Sequence, residues 1–296
     1  MTSLYIHIPF CHKKCPYCSF VVSVGQKEEV MEEYVNALIS ELNFYDQATL
    51  ETIYFGGGTP SNLSEQLIEK LFAAIQKKHK VSTDCEITFE TNPEDLNIEK
   101  IKFIQSCGVT RFSMGIQTLN DKFLSYLGRT HSAQQALKAF GSLRAQNIEN
   151  INVDFMYCFP SQRREEISED LRQFSTLGAE HISLYSLNIE PNSRFYSQGV
   201  CLSSEDQQAE FYCHVVQTIE SMGYGQYEIS NFAKSPIYRS RHNQRYWTMH
   251  EYMGIGIGAH SFLDGTRFWN TSNLQEYITC AKAKRTPREG EERLTI

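Results

Sequence analysis

The strongest constraint on the fold is a regular alternation of strand-like and helix-like segments along the first 222 residues. Short runs rich in Ile, Val, Phe and Tyr alternate with longer segments in which apolar residues recur at helical spacing. The predicted strands are residues 4–9, 52–55, 85–91, 111–116, 150–157 and 181–187. Helices are predicted at 27–45, 64–79, 97–107, 165–177, 204–222 and 273–284, with two short helices before residue 146. This series predicts an α/β fold with a parallel sheet and helices outside it.

The positions of the polar residues indicate how the sheet is arranged. Right-handed crossovers are compatible with an open doubly wound sheet and with a barrel, and strand spacing does not distinguish the two. In barrels, however, functional residues gather at the carboxyl ends of the strands. A polar residue or glycine lies near the carboxyl end of each predicted strand, namely Cys11, Gly57, Glu90, Gln117, Asp154 and Asn188. We therefore predict an incomplete parallel (β/α)6 barrel of the TIM type, with one site ringed by its six units.

Three cysteines, Cys11, Cys15 and Cys18, follow the first predicted strand with the spacing C-x3-C-x2-C. Four-iron clusters are typically held by four cysteines, so three would leave one iron without a protein ligand. One alternative is a zinc site completed by His7 or His12, although structural zinc usually takes its four ligands from two separated pairs. Another is three free thiols in a reducing compartment. The ligand preferences of the two metals favour the cluster, and the remaining cysteines are scattered as expected of packing residues.

Charge and hydropathy argue against several classes of partner. The chain of 296 residues carries a formal net charge of −7 and has no long basic run, so nucleic acid is not expected as a partner. No apolar stretch approaches the roughly 18–20 residues of a membrane span, so no transmembrane segment is predicted. The amino terminus enters a strand directly, without the charged and apolar regions of a signal peptide. We therefore predict a cytoplasmic protein.

Two motifs at strand ends have the composition of a ligand site. The sequence GGGTP at 56–60 joins the second predicted strand to the helix that follows. Consecutive glycines let a backbone approach a ligand closely, and no Gly-Lys-Ser/Thr follows that would indicate a Walker loop. Glu90 lies between apolar or rigid neighbours, Phe89 and Pro93, so its carboxylate is expected to be half-buried and to need a cationic partner.

The pattern changes after Gly223, and residues 223–296 are expected to form a short β-rich or irregular extension packed on the barrel. The string HNQRYW at 242–247 has two interpretations. Its aromatic residues could pack over the side of the barrel, or His242 could bind iron, because neutral imidazole is a common iron ligand. Gly254, Gly256 and Gly258 alternate along a predicted strand, which would leave one face open to a flat ligand or to another backbone. The chain ends in a charged tail at residues 286–296.

Taken together, these motifs resemble a known family. A C-x3-C-x2-C triplet on the loop after a first strand resembles the signature of radical S-adenosylmethionine (SAM) proteins. The flanking sequences YIHIPF at 5–10 and CPYC at 15–18 are similar to the branch that contains oxygen-independent coproporphyrinogen III oxidases and HemW-type heme chaperones. The oxidases usually have a further cysteine two positions after the third one. Because Phe20 occupies that position, the chain resembles the heme chaperones more.

The resemblance implies the cofactors and the residues that bind them. It implies a [4Fe–4S] cluster on Cys11, Cys15 and Cys18, with SAM at the open iron. The implied SAM contacts are Tyr5, Tyr17, Gly57, Gly58, Thr59, Glu90, Gln117, Arg129 and Asp154. The methionyl ammonium of SAM would then be the cationic partner of Glu90. The resemblance also implies heme as a ligand of His242, Asn243 and Tyr246.

The function that the resemblance implies is a heme chaperone, which binds heme and transfers it to an acceptor protein. The alternative is the enzyme of the same branch, a coproporphyrinogen III oxidase that decarboxylates propionate groups by radical SAM chemistry. Whether the chain cleaves SAM, and so is an enzyme, is left open. The expected organisation is a radical SAM barrel at residues 1–222 and an extension at 223–296, without the small C-terminal domain of the family.

Overall fold

The computed structural model describes residues 2–294. The strands are β1 (Thr2–Ile8), β2 (Phe10–Cys11), β3 (Ser23–Val24), β4 (Thr49–Gly57), β5 (Lys80–Thr91), β6 (Arg111–Gln117), β7 (Ile151–Tyr157), β8 (His181–Ser186), β9 (Gly225–Gln226), β10 (Asn231–Ala233), β11 (Tyr252–Ile255), β12 (His260–Leu263), β13 (Thr266–Asn270) and β14 (Arg288–Arg293). The α-helices are α1 (Glu28–Leu42), α2 (Glu65–Lys78), α3 (Ile98–Ser106), α4 (Asp121–Tyr126), α5 (Ala133–Ala145), α6 (Arg164–Leu177), α7 (Arg194–Ser197), α8 (Glu205–Ser221), α9 (Arg241–Trp247) and α10 (Leu274–Lys282).

The centre of the fold is a run of six neighbouring parallel strands in the order β1, β4, β5, β6, β7, β8. These are the six predicted strands; the largest difference is at β5, which begins at Lys80 rather than at residue 85. The predicted helices are also confirmed, as α1–α6, α8 and α10. The strand–helix alternation of the sequence therefore predicted the mostly parallel sheet correctly.

Each of these strands separates an apolar face from a polar face. On β6, Phe112 and Met114 belong to the main hydrophobic core, whereas Ser113 and Gln117 alternate with them and lie on the other face. The same alternation continues on β7, where Val153 and Phe155 are core residues and Asn152 and Asp154 are not. Both faces are nevertheless buried, and all seven residues of β6 are buried. A buried polar face is unusual for a parallel sheet, and it contains the candidate site.

The extension adds strands to both edges of the parallel sheet. On one side β10 pairs antiparallel with β8, and β9 pairs with β10. On the other side β11 pairs parallel with β1, and β12, β13 and β14 follow in antiparallel order. Strands β9–β14 therefore all lie within residues 223–294, together with helices α9 and α10. Within the charged tail, for which no strand was predicted, Arg288–Arg293 form the edge strand β14; Thr295 and Ile296 lie outside the described residues.

Two other expectations about the extension need correction. The HNQRYW string, in a segment expected to be β-rich or irregular, forms most of helix α9, and Ser240 caps this helix by accepting a hydrogen bond from the backbone N–H of Asn243 at 3.2 Å. The three alternating glycines do not share a strand, since β11 contains Gly254 but ends before Gly256. A Cβ on Gly254 would lie 2.0 Å from the carbonyl oxygen of His260, so another backbone, not a flat ligand, occupies that space.

A buried carboxylate attaches the extension to the rest of the fold. Glu41 of α1 accepts hydrogen bonds from the backbone N–H of Gly256 at 2.9 Å and from the side chain of Asn270 at 2.6 Å. The hydroxyl of Tyr277 in α10 also donates to it. Burial raises the pKa of Glu41 to about 7, although these hydrogen bonds oppose the increase. Within residues 2–294, no helix has both the length and the apolar content needed to cross a membrane.

Candidate functional site

A cavity of about 340 Å³ opens at the carboxyl ends of the six parallel strands. Most of the predicted site residues line it, namely Cys11, Cys15, Tyr17, Cys18, Gly57, Gly58, Thr59, Glu90, Gln117, Arg129 and Asp154. They come from loops or strand ends of different strand–helix units, and parallel pairing brings these ends to one edge of the sheet. The cavity is therefore where the sequence predicted a single site.

The loop between Cys11 and Cys18 is held in place by contacts on both sides. The backbone N–H of Cys18 donates to the carbonyl of Cys15 at 3.1 Å, which closes a tight turn. His12 contacts the buried carboxylate of Asp95 at 2.9 Å. On the opposite side, the backbone N–H of Phe195 donates to the carbonyl of Pro16 at 2.9 Å. The loop that presents the three thiols is thus fixed by a residue of the turn after β5 and by a residue of α7.

The three cysteines are free thiols, as are the other six in the sequence. Burial raises the pKa of Cys11 to about 11, and the Thr59 hydroxyl, 3.5 Å from its Sγ, only partly offsets this. Burial also raises the pKa of Cys18. Among residues 2–294, no three His, Cys, Asp or Glu side chains are placed to hold a single metal ion.

Arg129 is a buried cation next to the cysteines. Its Nη2 donates to Asn92 Oδ1 at 2.6 Å and to the Gly115 carbonyl at 2.8 Å, and its Nη1 lies 3.9 Å from Cys15 Sγ. Its Nε is buried and has no hydrogen-bond partner within residues 2–294. A buried N–H of a guanidinium is costly to leave unpaired, so this edge of the cavity is suited to a ligand with an acceptor or a negative charge.

Glu90 lies near the end of β5, lines the cavity and is half-buried as predicted. Its Oε1 accepts a hydrogen bond from the Tyr54 hydroxyl at 2.7 Å, and its Oε2 accepts one from the backbone N–H of Gly57 at 3.2 Å. Burial raises its pKa to about 7 despite these bonds, and the charge of Asp154 raises it further. No cationic side chain among residues 2–294 forms an ion pair with Glu90, so an ionised Glu90 would be stabilised by a bound cation.

Gln117 and Asp154 complete the polar wall. Gln117 ends β6 in the left-handed region, at φ 73°, where the pairing with β7 shifts register. Such a conformation costs about 1–3 kcal/mol in a residue with a side chain and is concentrated at functional sites. Burial raises the pKa of Asp154, whose Oδ1 accepts a hydrogen bond from Asn152 at 2.8 Å. Tyr17 is opposite, with its hydroxyl beside Arg129 and its pKa raised by burial.

Four predicted site residues do not line this cavity. Tyr5 is hydrogen-bonded to His7 at 3.0 Å, and it was expected beside the SAM residues. His242 was a candidate iron ligand in one of the two interpretations of its string, and it is 1% exposed. Its Nδ1 is bonded to the Thr52 hydroxyl at 2.7 Å and its Nε2 to the Tyr246 hydroxyl at 2.9 Å. Since both ring nitrogens are engaged, this imidazole does not offer a free coordination position. Asn243 lies on the same helix, away from the cavity.

The sequence also missed residues that do line the cavity, among them Ser113, Gly115, Met156 and Tyr185. Three of them lie two or four positions from a predicted residue on the same strand, and such residues point to the same face because side chains alternate across a strand. Counting back from Gln117 by two gives Gly115 and Ser113, and counting on from Asp154 gives Met156. The alternation of polar and apolar residues along β6 was therefore the signal in the sequence from which this face could have been identified.

Comparison with known proteins identifies the family to which the chain belongs. Residues 5–174 match the radical SAM superfamily. "Heme chaperone HemW" of Bacillus subtilis is 40% identical, with 97% of this chain and 78% of that protein aligned, and "Heme chaperone HemW" of Escherichia coli is 37% identical, with 89% and 71% aligned. The solved structure of coproporphyrinogen III oxidase (HemN) from Escherichia coli covers 99% of this chain and 72% of its own, with a TM-score of 0.90 at 21% identity. That likeness establishes a shared α/β fold. The chain belongs to the HemW family, within the radical SAM superfamily.

Proposed function

We propose that this protein is a heme chaperone, which binds heme and passes it to an acceptor protein, and that it carries a [4Fe–4S] cluster and SAM. The observation that carries the proposal is the identity of 40% with a protein named as a heme chaperone, over 97% of this chain. The likeness to HemN supports only a shared fold and not its reaction, because the identity is 21%. Phe20, where the oxidases usually have a cysteine, also favours the chaperone.

The donor set at the mouth of the cavity fits an iron–sulfur cluster. Cys11, Cys15 and Cys18 are unpaired thiols that line one cavity. In a four-iron cluster each cysteine binds a different iron, so the three sulfurs need not converge on one point as they would around zinc. Without metal, burial keeps Cys11 and Cys18 protonated at neutral pH, so that cluster binding would release protons. When bound, the cluster would supply an electron and one open iron position.

The remaining cavity residues fit SAM, which has an ammonium, a carboxylate and an adenosine. Glu90 would bind the ammonium, because its carboxylate lacks a cationic partner among the described side chains. The backbone of Gly57, Gly58 and Thr59 would lie against the methionyl end. Gln117, Asp154, Arg129 and Tyr17 would contact the rest of the molecule from the other walls. The orphaned Nε of Arg129 is the strongest sign that a polar ligand belongs here.

The proposal includes an arrangement of the chain around this site. The six parallel strands would curve into an incomplete (β/α)6 barrel, with residues 1–222 as the barrel and 223–296 as its extension. The protein would act in the cytoplasm. Its own residues would then bind and orient SAM beneath the cysteine loop and exclude water from the cavity.

The test is a heme titration of the anaerobically reconstituted chain, followed by incubation with an apo-hemoprotein. We expect saturable binding with a shifted Soret band, and loss of that band from the chain when the acceptor is added. In parallel, the same preparation is incubated with coproporphyrinogen III, SAM and dithionite. Absence of saturable heme binding, or formation of the decarboxylated product, would contradict the chaperone proposal and favour the oxidase.

A further inference from the structure

We propose that heme binds in a second cleft, on the other side of the cysteine loop from the main cavity, and that His260 is the ligand of its iron. This inference rests on the proposed function and specifies the site. The cleft has a volume of about 320 Å³, and we call it the His260 cleft. Its lining includes Phe20, Val21, Tyr246, Tyr252 and His260.

The position of the cleft links it to the proposed cluster. Ser19 and Phe20 line both the main cavity and the His260 cleft, so the segment that follows Cys18 is their common wall. The Phe20 ring is 65% exposed, which is high for so large an apolar side chain. A flat apolar ligand in the cleft would cover it, and this would bury apolar surface that now faces water.

His260 is the imidazole of this region that is free to bind a metal. His7 also lines the cleft, but its two ring nitrogens contact the Tyr5 hydroxyl at 3.0 Å and the Val21 carbonyl at 2.8 Å. The ring of His242 is engaged at both nitrogens and buried. The ring of His260 is exposed and makes no hydrogen bond with any of residues 2–294.

The surroundings of His260 keep its ring oriented and neutral. The ring lies against Trp269, with centroids 5.7 Å apart and planes inclined by 30°. Partial burial lowers the pKa of His260, and the nearby charge of Arg267 lowers it further. Iron binds the neutral form of imidazole, so this environment favours coordination over protonation at neutral pH.

The walls of the cleft suit the macrocycle of heme, and a cation close to the cleft suits its propionates. Tyr246 and Tyr252 pack at right angles with centroids 4.7 Å apart, which presents an aromatic surface to a flat macrocycle. Arg267 does not itself line the cleft, but its charge acts on His260, and its ion pair with Glu292, at 3.1 Å, is half-exposed, so that it can pair with a propionate instead. An exposed ion pair of this kind contributes little to the stability of the fold, so replacing the Arg267–Glu292 pair by an Arg267–propionate pair costs little stability.

The backbone at His260 is fixed independently of its side chain. The residue pairs with Trp269 across β12 and β13, and its carbonyl packs against Gly254. A His260→Ala variant is therefore expected to fold. His250 provides a matched control, because it is also an exposed imidazole of the extension but lies outside the cleft and contacts Thr248 at 2.7 Å.

The experiment is a heme titration of the full chain, read by the Soret band, for wild type, H260A and H250A. We expect H260A to bind heme at least about tenfold more weakly, with a changed Soret position, and H250A to match wild type. Adding free imidazole to His260→Gly should restore the wild-type Soret position. Iron-free protoporphyrin should bind wild type and H260A equally, because it has no iron to coordinate.

The outcomes separate this inference from the function on which it rests. If wild type binds heme and H260A has the same affinity and Soret position, the assignment of His260 is overturned while the chaperone function stands. If wild type does not bind heme, the proposed function fails, and this inference with it. Should H260A fail to fold, as judged by circular dichroism, H260Q provides the same comparison with a side chain that keeps hydrogen-bonding capacity but is not an imidazole.

Discussion

Replacing His242 by glutamine should make the stability of the protein less sensitive to acid. The imidazole belongs to α9 and is buried, and its two nitrogens are hydrogen-bonded to Thr52 of β4 and to Tyr246 of α9. Burial lowers the pKa of His242 to about 3, and the charge of the buried Arg111 contributes to the decrease. The folded protein therefore keeps this ring neutral at a pH at which the unfolded chain protonates it.

The magnitude follows from the two pKa values. An unperturbed histidine has a pKa of about 6.5, so below that pH the unfolded state binds more protons than the folded state. As the pH is lowered below 6.5, the free energy of unfolding therefore decreases by about 1.4 kcal/mol per pH unit, until the folded-state pKa is reached. Between pH 7.5 and pH 5, His242 should therefore remove roughly 2 kcal/mol from the free energy of unfolding. Above about pH 6.5 its contribution to stability is fully present.

The assay is urea unfolding of the metal-free protein at pH 7.5 and pH 5, followed by circular dichroism. Other groups titrate over the same range, so the quantity to compare is the loss of stability in wild type minus the loss in H242Q. We expect wild type to lose roughly 2 kcal/mol more than the variant, because the amide of glutamine does not titrate and can still reach Thr52 and Tyr246. His250→Gln, at an exposed site, should leave the pH dependence unchanged.

An equal loss in wild type and H242Q would refute this reasoning, since it would mean that His242 protonates freely in the folded protein. Such a ring would be accessible, and the direct role in heme binding that the sequence suggested would return. The outcome therefore decides whether His242 is a structural residue, as its buried contacts indicate.

Two further predictions concern the SAM residues. A Cβ on Gly57, which has φ 111°, would lie 2.6 Å from the buried ring of His7, so Gly57→Ala should destabilise the fold by about 1–3 kcal/mol in urea unfolding and weaken SAM binding. Gly141→Ala, in α5 with open space around it, is the control, and a G57A variant as stable as G141A would contradict this. Because the pKa of Glu90 is raised to about 7, the affinity for SAM, measured by equilibrium dialysis, should increase as the pH rises through 7. The Glu90→Gln variant should lose this pH dependence. A wild-type affinity that does not change with pH would argue against a contact between Glu90 and the ammonium.

The features that the sequence predicted best are local or follow from the position of a strand end. Cys11, Cys15 and Cys18 are so close in sequence that a single loop brings them together. Gly57 and Glu90 could be placed at one edge because consecutive parallel strands are neighbours in the sheet. The polar ring at the strand ends was therefore predictable without knowledge of any individual contact.

The features that it missed depend on distant contacts. The HNQRYW string lies in a segment expected to be β-rich or irregular, but the carboxylate of Glu86 accepts the backbone N–H groups of Arg241 and His242 at 3.0 Å and fixes the start of α9. The partner of His242, Thr52, is 190 residues away in sequence. Sequence alone could identify a histidine suited to iron, but not the hydroxyls that occupy its nitrogens. Likewise, β14 is polar throughout and forms because it pairs with β13.

The central claim is that a cluster on the three cysteines and SAM share one cavity. The most direct test is electron paramagnetic resonance of the reconstituted, dithionite-reduced chain, recorded with and without SAM. The account predicts a [4Fe–4S] signal that changes when SAM is added, is greatly reduced in Cys18→Ser and is kept in Cys107→Ser, a cysteine outside the cavity. A spectrum that SAM leaves unchanged, or a full signal in C18S, would contradict it.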